Sequence, residues 1–164
     1  MLGKNGRLGW EEYAVSLAKA ASLRSEDPYV KVGACVLRND WSVAGVGYNG
    51  APADIEIDWS NRDERRKRVI HAEINALRYV KPNEGHTIAC TLLPCSACVQ
   101  TIAAHGIKHI LYEDVYELDD FALELCTEFK IGLHSLKEFT QKKLDNPAEG
   151  SYAGEHKSLE VING

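Results

Sequence analysis

The sequence predicts an α/β sandwich in which helices cover both faces of a mixed β-sheet. Three observations support this: helical and strand patterns alternate, two compact apolar runs adjoin helical patterns, and two β-rich runs are joined by turn residues. A chain of 164 residues with 45% hydrophobic residues fits one globular domain with an ordinary core.

The first helix is predicted in "WEEYAVSLAKAA", where six residues recur at helical spacing and form a core-facing stripe. They are Trp10, Tyr13, Ala14, Leu17, Ala18 and Ala21. The next two segments, "KVGACVLRND" and "SVAGVGYNG", are short β-rich runs bridged by Asn39 and Asp40, which predicts a hairpin.

Further along, "HTIACTLL" and "IKHILYED" are compact apolar runs typical of buried strands. Helical patterns occupy "HAEINALRYV", "SACVQTIAAHG" and "DDFALELCTEF". The segment "APADIEIDWSNRDERRKR" has no clear period and is predicted to be a long loop. The end of the chain is polar and broken by Gly and Pro, so we assign residues 1–136 to the domain and 137–164 to a poorly ordered tail.

The charge of the chain disfavours some partners. A net charge of −5 gives no global positive field, so duplex nucleic acid is not an expected partner, while small or single-stranded substrates remain open. No apolar run is long enough to span a membrane, and "MLGKNGRLGWEEYAV" lacks a signal-peptide segment. We therefore expect a cytoplasmic protein without a membrane partner.

The run "TLLPCSACVQ" predicts a helix that starts near Pro94, with Cys95 and Cys98 on the same side of its first turn. A helix N-terminus favours thiolates, and two thiolates at this spacing make half of a tetrahedral zinc site. The five cysteines are an odd number without an export signal, which favours thiols or metal ligands over disulfides. A redox pair or two buried apolar thiols are the alternatives.

A second motif, "HAE", supplies a possible third metal ligand. His71 alone would also fit a surface or core histidine, but together with Cys95 and Cys98 it fills three positions of a zinc site and leaves the fourth open for water. Glu73 would then be a general acid and base beside the metal. His-x-Glu followed by Pro-Cys-x-x-Cys is the signature of zinc-dependent nucleobase deaminases.

From Trp10 to Leu136 the sequence resembles the deoxycytidylate deaminases of the cytidine deaminase superfamily. The matching runs are "RSEDPYVKVGACVL", "GVGYNGAP", "HAEINAL", "PCSACVQTIAAHGIKHILY" and "VYELDDFALEL". The related transfer-RNA adenosine deaminases share the zinc motifs but lack "RSxDP" followed by "VGAC".

This resemblance implies a three-layer α/β/α cytidine deaminase-like fold with a five-stranded mixed sheet. It also implies one catalytic Zn²⁺ per subunit and the hydrolysis of dCMP to dUMP and ammonia, which supplies dUMP for thymidylate synthesis. Other cytosine substrates such as dCTP or cytidine, a base in RNA, and a non-catalytic zinc nucleotide-binding module remain alternatives.

The resemblance also suggests substrate contacts. Asn49 is expected to bind the sugar 3′-hydroxyl, although Asn-Gly is also a common turn. Arg24 and Ser25 are expected to hold the phosphate, although Arg24 could equally be a cation at a helix end. Ala72 is assigned to the substrate site as part of the "HAE" motif, and Tyr116 matches a family tyrosine near the substrate, with packing as its alternative.

The basic run "RDERRKR" precedes the "HAE" motif and has two interpretations. It is either a solvated charged face or a triphosphate effector site that uses Arg65 and Arg66. The resemblance implies a hexamer that is activated by dCTP, with Mg²⁺ accompanying the triphosphate, and inhibited by dTTP.

Overall fold

The computed structural model describes residues 4–146. In chain order it contains α1 (Trp10–Ser22), β1 (Gly33–Leu37), β2 (Val43–Tyr48), α2 (Arg62–Arg66), α3 (Ala72–Leu77), β3 (Thr87–Leu92), α4 (Ser96–Ala104), β4 (His109–Asp114), α5 (Asp120–Glu128), β5 (Gly132–Ser135) and α6 (Leu136–Asp145), after a short 3-10 turn at Lys4–Gly6. Within the described residues, no helix combines the length and apolar character that crossing a membrane requires.

The five strands form one mixed sheet, as expected, and their order is β2-β1-β3-β4-β5. Strand β1 is antiparallel to both β2 and β3, which confirms the predicted hairpin, while β4 is parallel to β3 and to β5. Helices α4 and α5 make the crossovers that parallel neighbours need. Because β2 and β3 are both antiparallel to β1, the carboxyl ends of β2, β3 and β4 lie at the same edge of the sheet.

Helices cover both faces of the sheet, so the three-layer α/β/α architecture is confirmed. One core packs α3, α4 and α5 against residues such as Val36, Ile88 and Ile110. The other core packs α1 and the start of α6 against Cys35 and Leu111. Alternation of side chains along each strand divides the apolar residues between these two cores.

The buried face of α1 differs from the predicted stripe. Tyr13 is 38% exposed, whereas Glu11 is 1% exposed and Val15 is buried. The face that contacts the sheet is centred on Ala14 and Ala18, whose small side chains let the helix lie close to β1. A buried carboxylate needs a partner, and Lys143 of α6 lies 3.6 Å from Glu11.

Two further segments differ from the sequence prediction. The predicted loop contains α2, which begins because the Asn61 side chain accepts hydrogen bonds from the backbone N–H groups of Asp63 and Glu64, both at 3.1 Å. Residues 137–145, placed in the polar tail, are helical because Leu136 packs on the core and Lys137 pairs with Asp114. The rest of the predicted tail, 147–164, lies outside the described residues.

Candidate metal centre and active site

Four residues of the two sequence motifs meet at the starts of neighbouring helices. His71 and Cys95 are the N-cap residues of α3 and α4, so Glu73 and Cys98 lie in the first turns of those helices. His71 Nδ1 lies 3.3 Å from Cys98 Sγ and 3.6 Å from Cys95 Sγ. The fold thus brings the two motifs together at the edge where β3 ends.

The arrangement of these side chains fits a zinc ion. The ligand atoms of His71, Cys95 and Cys98 all lie within 4.8 Å of one another. A tetrahedral zinc with Zn–S of about 2.3 Å and Zn–N of about 2.0 Å would separate nitrogen and sulfur by roughly 3.5 Å, close to the two distances in the structure. Two sulfurs and one nitrogen are also the ligand types of catalytic zinc sites that keep one position open.

The two thiols of this cluster differ in how readily they ionise. Hydrogen bonds from Cys98 and His71 lower the pKa of Cys95 to about 4. The hydrogen bond between Cys98 and Cys95, together with burial, raises the pKa of Cys98. The hydrogen bond between His71 and Cys95 raises the pKa of His71. A bound cation would favour loss of the proton from Cys98, because a metal binds the thiolate form of cysteine.

Glu73 lies next to the cluster and is only 4% exposed. The thiol of Cys98 donates to its Oε2 atom at 3.5 Å. Burial raises the pKa of the Glu73 carboxyl, which favours its neutral form. A carboxyl whose pKa is raised can act as a general acid as well as a general base.

A carboxylate that the sequence analysis missed fixes the start of α4. Asp119 Oδ2 accepts a hydrogen bond from the backbone N–H of Ser96 at 2.7 Å, and its Oδ1 accepts from Ala122 N at 3.3 Å. These hydrogen bonds lower the pKa of Asp119, and the bond from the Ser96 backbone has the largest effect. The available signal was an aspartate just before a predicted helix, which is a preferred N-cap.

A cavity of about 300 Å³ opens onto the cluster, a size typical of small-molecule sites. The predicted substrate residues Asn49, Ala72 and Tyr116 lie in its lining. The full lining consists of Val30, Val32, Asn49, Arg65, Arg66, Val69, His71, Ala72, Glu73, Leu92, Leu93, Cys95, Tyr116 and Glu117.

The amide of Asn49 is largely engaged by the protein itself. Its Oδ1 accepts from Val32 N at 2.8 Å, and its Nδ2 donates to the carbonyl of Val30 at 2.9 Å and to Asp27 Oδ2 at 3.3 Å. Both donors of the amide are therefore used, and a sugar hydroxyl would have to donate to the remaining lone pair of Oδ1.

The two residues predicted to bind the phosphate, Arg24 and Ser25, are not among those that line the cavity. Arg24 is exposed beyond the end of α1. The Ser25 hydroxyl is buried, where it donates to the carbonyl of Asn49 at 2.8 Å and accepts from Asp27 N at 3.3 Å. A hydroxyl used in this way stabilises the loop before β1.

The structure separates the two arginines that the sequence analysis grouped as effector contacts. Arg65 is 6% exposed and forms an ion pair with the fully buried Asp27, a residue that the sequence analysis did not select. Arg66 is exposed and pairs with Glu117 at 2.6 Å. Arg65 is thus enclosed by the protein, whereas Arg66 is open to solvent.

Comparisons with known proteins agree with this site. Residues 8–114 match the family model of the cytidine and deoxycytidylate deaminase zinc-binding region. The human deoxycytidylate deaminase is 30% identical over 146 residues, which cover 82% of each chain. The deoxycytidylate deaminase of Mycobacterium phage D29 is 38% identical over 124 residues, covering 65% of this chain and 95% of the phage protein.

The fold comparison gives the same result. The crystal structure of the dCMP deaminase from cyanophage S-TIM5 in complex with dCMP and dUMP superposes with a TM-score of 0.62. Its sequence is 25% identical to this one, and the match covers 77% of this chain and 93% of the phage enzyme. The chain belongs to the deoxycytidylate deaminases of the cytidine and deoxycytidylate deaminase family.

Proposed function

We propose that the protein hydrolyses dCMP to dUMP and ammonia with the help of one zinc ion per subunit. The observation that carries the proposal is the buried Glu73 carboxyl beside the cluster of His71, Cys95 and Cys98 in a cavity of about 300 Å³. The relatives that are named deoxycytidylate deaminases support dCMP as the substrate.

His71, Cys95 and Cys98 would hold the zinc. A zinc ion there would supply a Lewis acid that makes a water molecule more acidic. Glu73 would accept one proton from that water and deliver it to N3 of the cytosine ring as the water oxygen bonds to C4. It would then carry the remaining hydroxyl proton to the amino group, which leaves C4 as ammonia. Its burial supports this role, because burial raises the pKa of the carboxyl and so allows it to act as an acid as well as a base.

Three of the predicted substrate residues keep that role in the proposal because they line the cavity. Ala72 is the first residue of α3, where backbone N–H groups have no partner within the helix, so its N–H is available to the substrate. Asn49 accepts from a sugar hydroxyl, and Tyr116 borders the cavity mouth. Arg24 and Ser25 are not retained, since neither lines the cavity.

The oligomeric state and regulation are further parts of the proposal. We propose a cytoplasmic hexamer that dCTP activates with Mg²⁺ and dTTP inhibits, as the family resemblance implies. The exposed pair of Arg66 and Glu117 at the cavity supports an effector response, because a triphosphate could replace Glu117 as the partner of Arg66.

The deciding experiment measures ammonia release from dCMP, dCTP, cytidine and a single-stranded oligonucleotide under identical conditions, with the Glu73→Gln variant as the blank. We expect dCMP to give the highest kcat/KM. A higher kcat/KM with cytidine or with the oligonucleotide would show that this compound, and not dCMP, is the preferred substrate. If none of the compounds releases ammonia, the protein is a non-catalytic zinc module.

A further inference from the structure

Arg65 is a buried cation whose hydrogen bonds are incomplete. Its side chain lies in the cavity lining and is only 7% exposed. The Nη1 atom donates to Asp27 Oδ2, but the Nε atom is buried and has no hydrogen-bond partner among residues 4–146. Leaving a charged donor buried and unpaired is costly, so this atom points to a ligand that completes its bonding.

The rest of the guanidinium group is held rigidly. The fully buried Asp27 accepts hydrogen bonds from the backbone N–H groups of Tyr29 and Val30 and from the Asn49 amide, as well as from Arg65. The ring of Tyr29 lies 4.8 Å from the guanidinium carbon and covers one face of the group. Arg65 is therefore fixed in place before a ligand enters, which lowers the entropic cost of binding.

We propose that Arg65 binds the phosphate of the nucleotide substrate and that Asp27 is its positioning residue. This inference rests on the proposed function for the choice of substrate. Arginine presents donors in a planar fork that matches phosphate oxygens, and Arg65 shares a cavity with the catalytic Glu73. Arg66 also lines the cavity, but it is exposed and already paired with Glu117.

The sharpest test is the Arg65→Lys variant, which keeps a positive charge beside Asp27 but removes the fork and its Nε donor. We expect kcat/KM for dCMP to fall roughly ten- to a hundredfold, while kcat/KM for deoxycytidine changes by less than about threefold. Arg68→Lys is the matched control, because the side chain of this exposed arginine pairs with Glu64 and does not line the cavity. It should leave both values unchanged.

A measurement on the wild-type protein keeps the test independent of folding defects. In protein labelled with ¹⁵N-arginine, the Nε–H resonance of Arg65 should shift when dUMP is added and remain in place with deoxyuridine. The absence of a dUMP-dependent shift would overturn the inference even if the lysine variant did not fold.

The kinetic outcomes also separate the two proposals. Equal losses on dCMP and deoxycytidine would mean that Arg65 serves the fold alone, and a selective loss of dCMP turnover in Arg24→Ala but not in Arg65→Lys would place the phosphate elsewhere. If the wild type releases no ammonia from dCMP, the proposed function fails, whereas the resonance shift still decides whether Arg65 binds the phosphate.

Discussion

The carboxylate of Asp119 accepts a hydrogen bond at 2.7 Å from the backbone N–H of Ser96, the residue that follows the metal-ligating candidate Cys95. The same carboxylate caps α5 through Ala122. One side chain thereby ties the start of the cysteine helix to the start of the next helix. This contact sets the direction in which α4 presents its two thiols.

Asp119→Ala should loosen the metal centre without removing any of its ligands. We expect zinc affinity to fall roughly ten- to a hundredfold, as is typical when a group that orients metal ligands is lost. Competition with a chromophoric chelator measures this affinity. The control is Asp120→Ala at the neighbouring exposed position, and equal affinities for the two variants would contradict the prediction.

Glu73→Gln should retain zinc and lose almost all turnover. The amide keeps the size of the side chain but cannot shuttle a proton, and such a group commonly contributes about 10²–10⁴-fold to the rate. Zinc content by elemental analysis and ammonia release from dCMP test the two halves of the prediction. A kcat close to that of the wild type would remove Glu73 from the mechanism.

Cys95→Ala and Cys98→Ala should each abolish stoichiometric zinc, because two of the four tetrahedral positions are thiolates in the proposed site. The control is Cys126→Ala, since this thiol is buried in the core at α5 and is not one of the three clustered ligands. Elemental analysis of the purified variants measures the zinc bound per protein chain. Full zinc occupancy in either active-site variant would show that the ligand assignment is wrong.

Stability should fall in mild acid because two buried histidines resist protonation. His109 Nδ1 lies 3.2 Å from His134 Nε2. Burial, together with the nearby His134 and His86, lowers the pKa of His109 to about 4. Burial also lowers the pKa of His134. An unfolded histidine titrates near 6.5, so between pH 6.5 and 4 the unfolded chain binds more protons than the folded one. The free energy of unfolding therefore decreases as pH falls through this window, by on the order of 3 kcal/mol for His109.

His109→Asn should flatten this dependence, because the amide can replace the hydrogen bond of Nδ1 without becoming charged. Urea denaturation at pH 4.5, 5.5, 6.5 and 7.5 gives the slope for the wild type and the variant. Identical slopes would mean that other groups cause the loss of stability in acid.

Gly47→Ala in strand β2 should displace α3, the helix that carries Glu73. A Cβ atom at Gly47 would lie 2.6 Å from the carbonyl oxygen of Ala72 and would also clash with the backbone N of Ala76, so α3 would have to move. We expect a loss of roughly 1–3 kcal/mol in the free energy of unfolding and a lower kcat. At Gly50 the nearest atom is 3.9 Å away, so Gly50→Ala is the control, and equal effects in a denaturation and activity assay would contradict the prediction.

Local patterns predicted the layered α/β fold and the metal-dependent chemistry of the site. Strand and helix periodicities depend on neighbouring residues, and they placed β3, β4, α4 and α5 within a few residues of their positions in the structure. The two motifs are short, and each lies at a helix start that its own residues define. For this reason His71, Glu73, Cys95 and Cys98 could be selected as one site before the structure placed them together.

Contacts between distant segments could be decided only by the tertiary structure. Arg65 and its partner Asp27 are 38 positions apart, and nothing local distinguishes this arginine from Arg24 or Arg66. The buried face of the short helix α2 depends on how the loop before it folds over the strand ends. Which arginine enters the cavity, and which carboxylate caps α4, therefore followed from long-range packing that residue spacing alone does not encode.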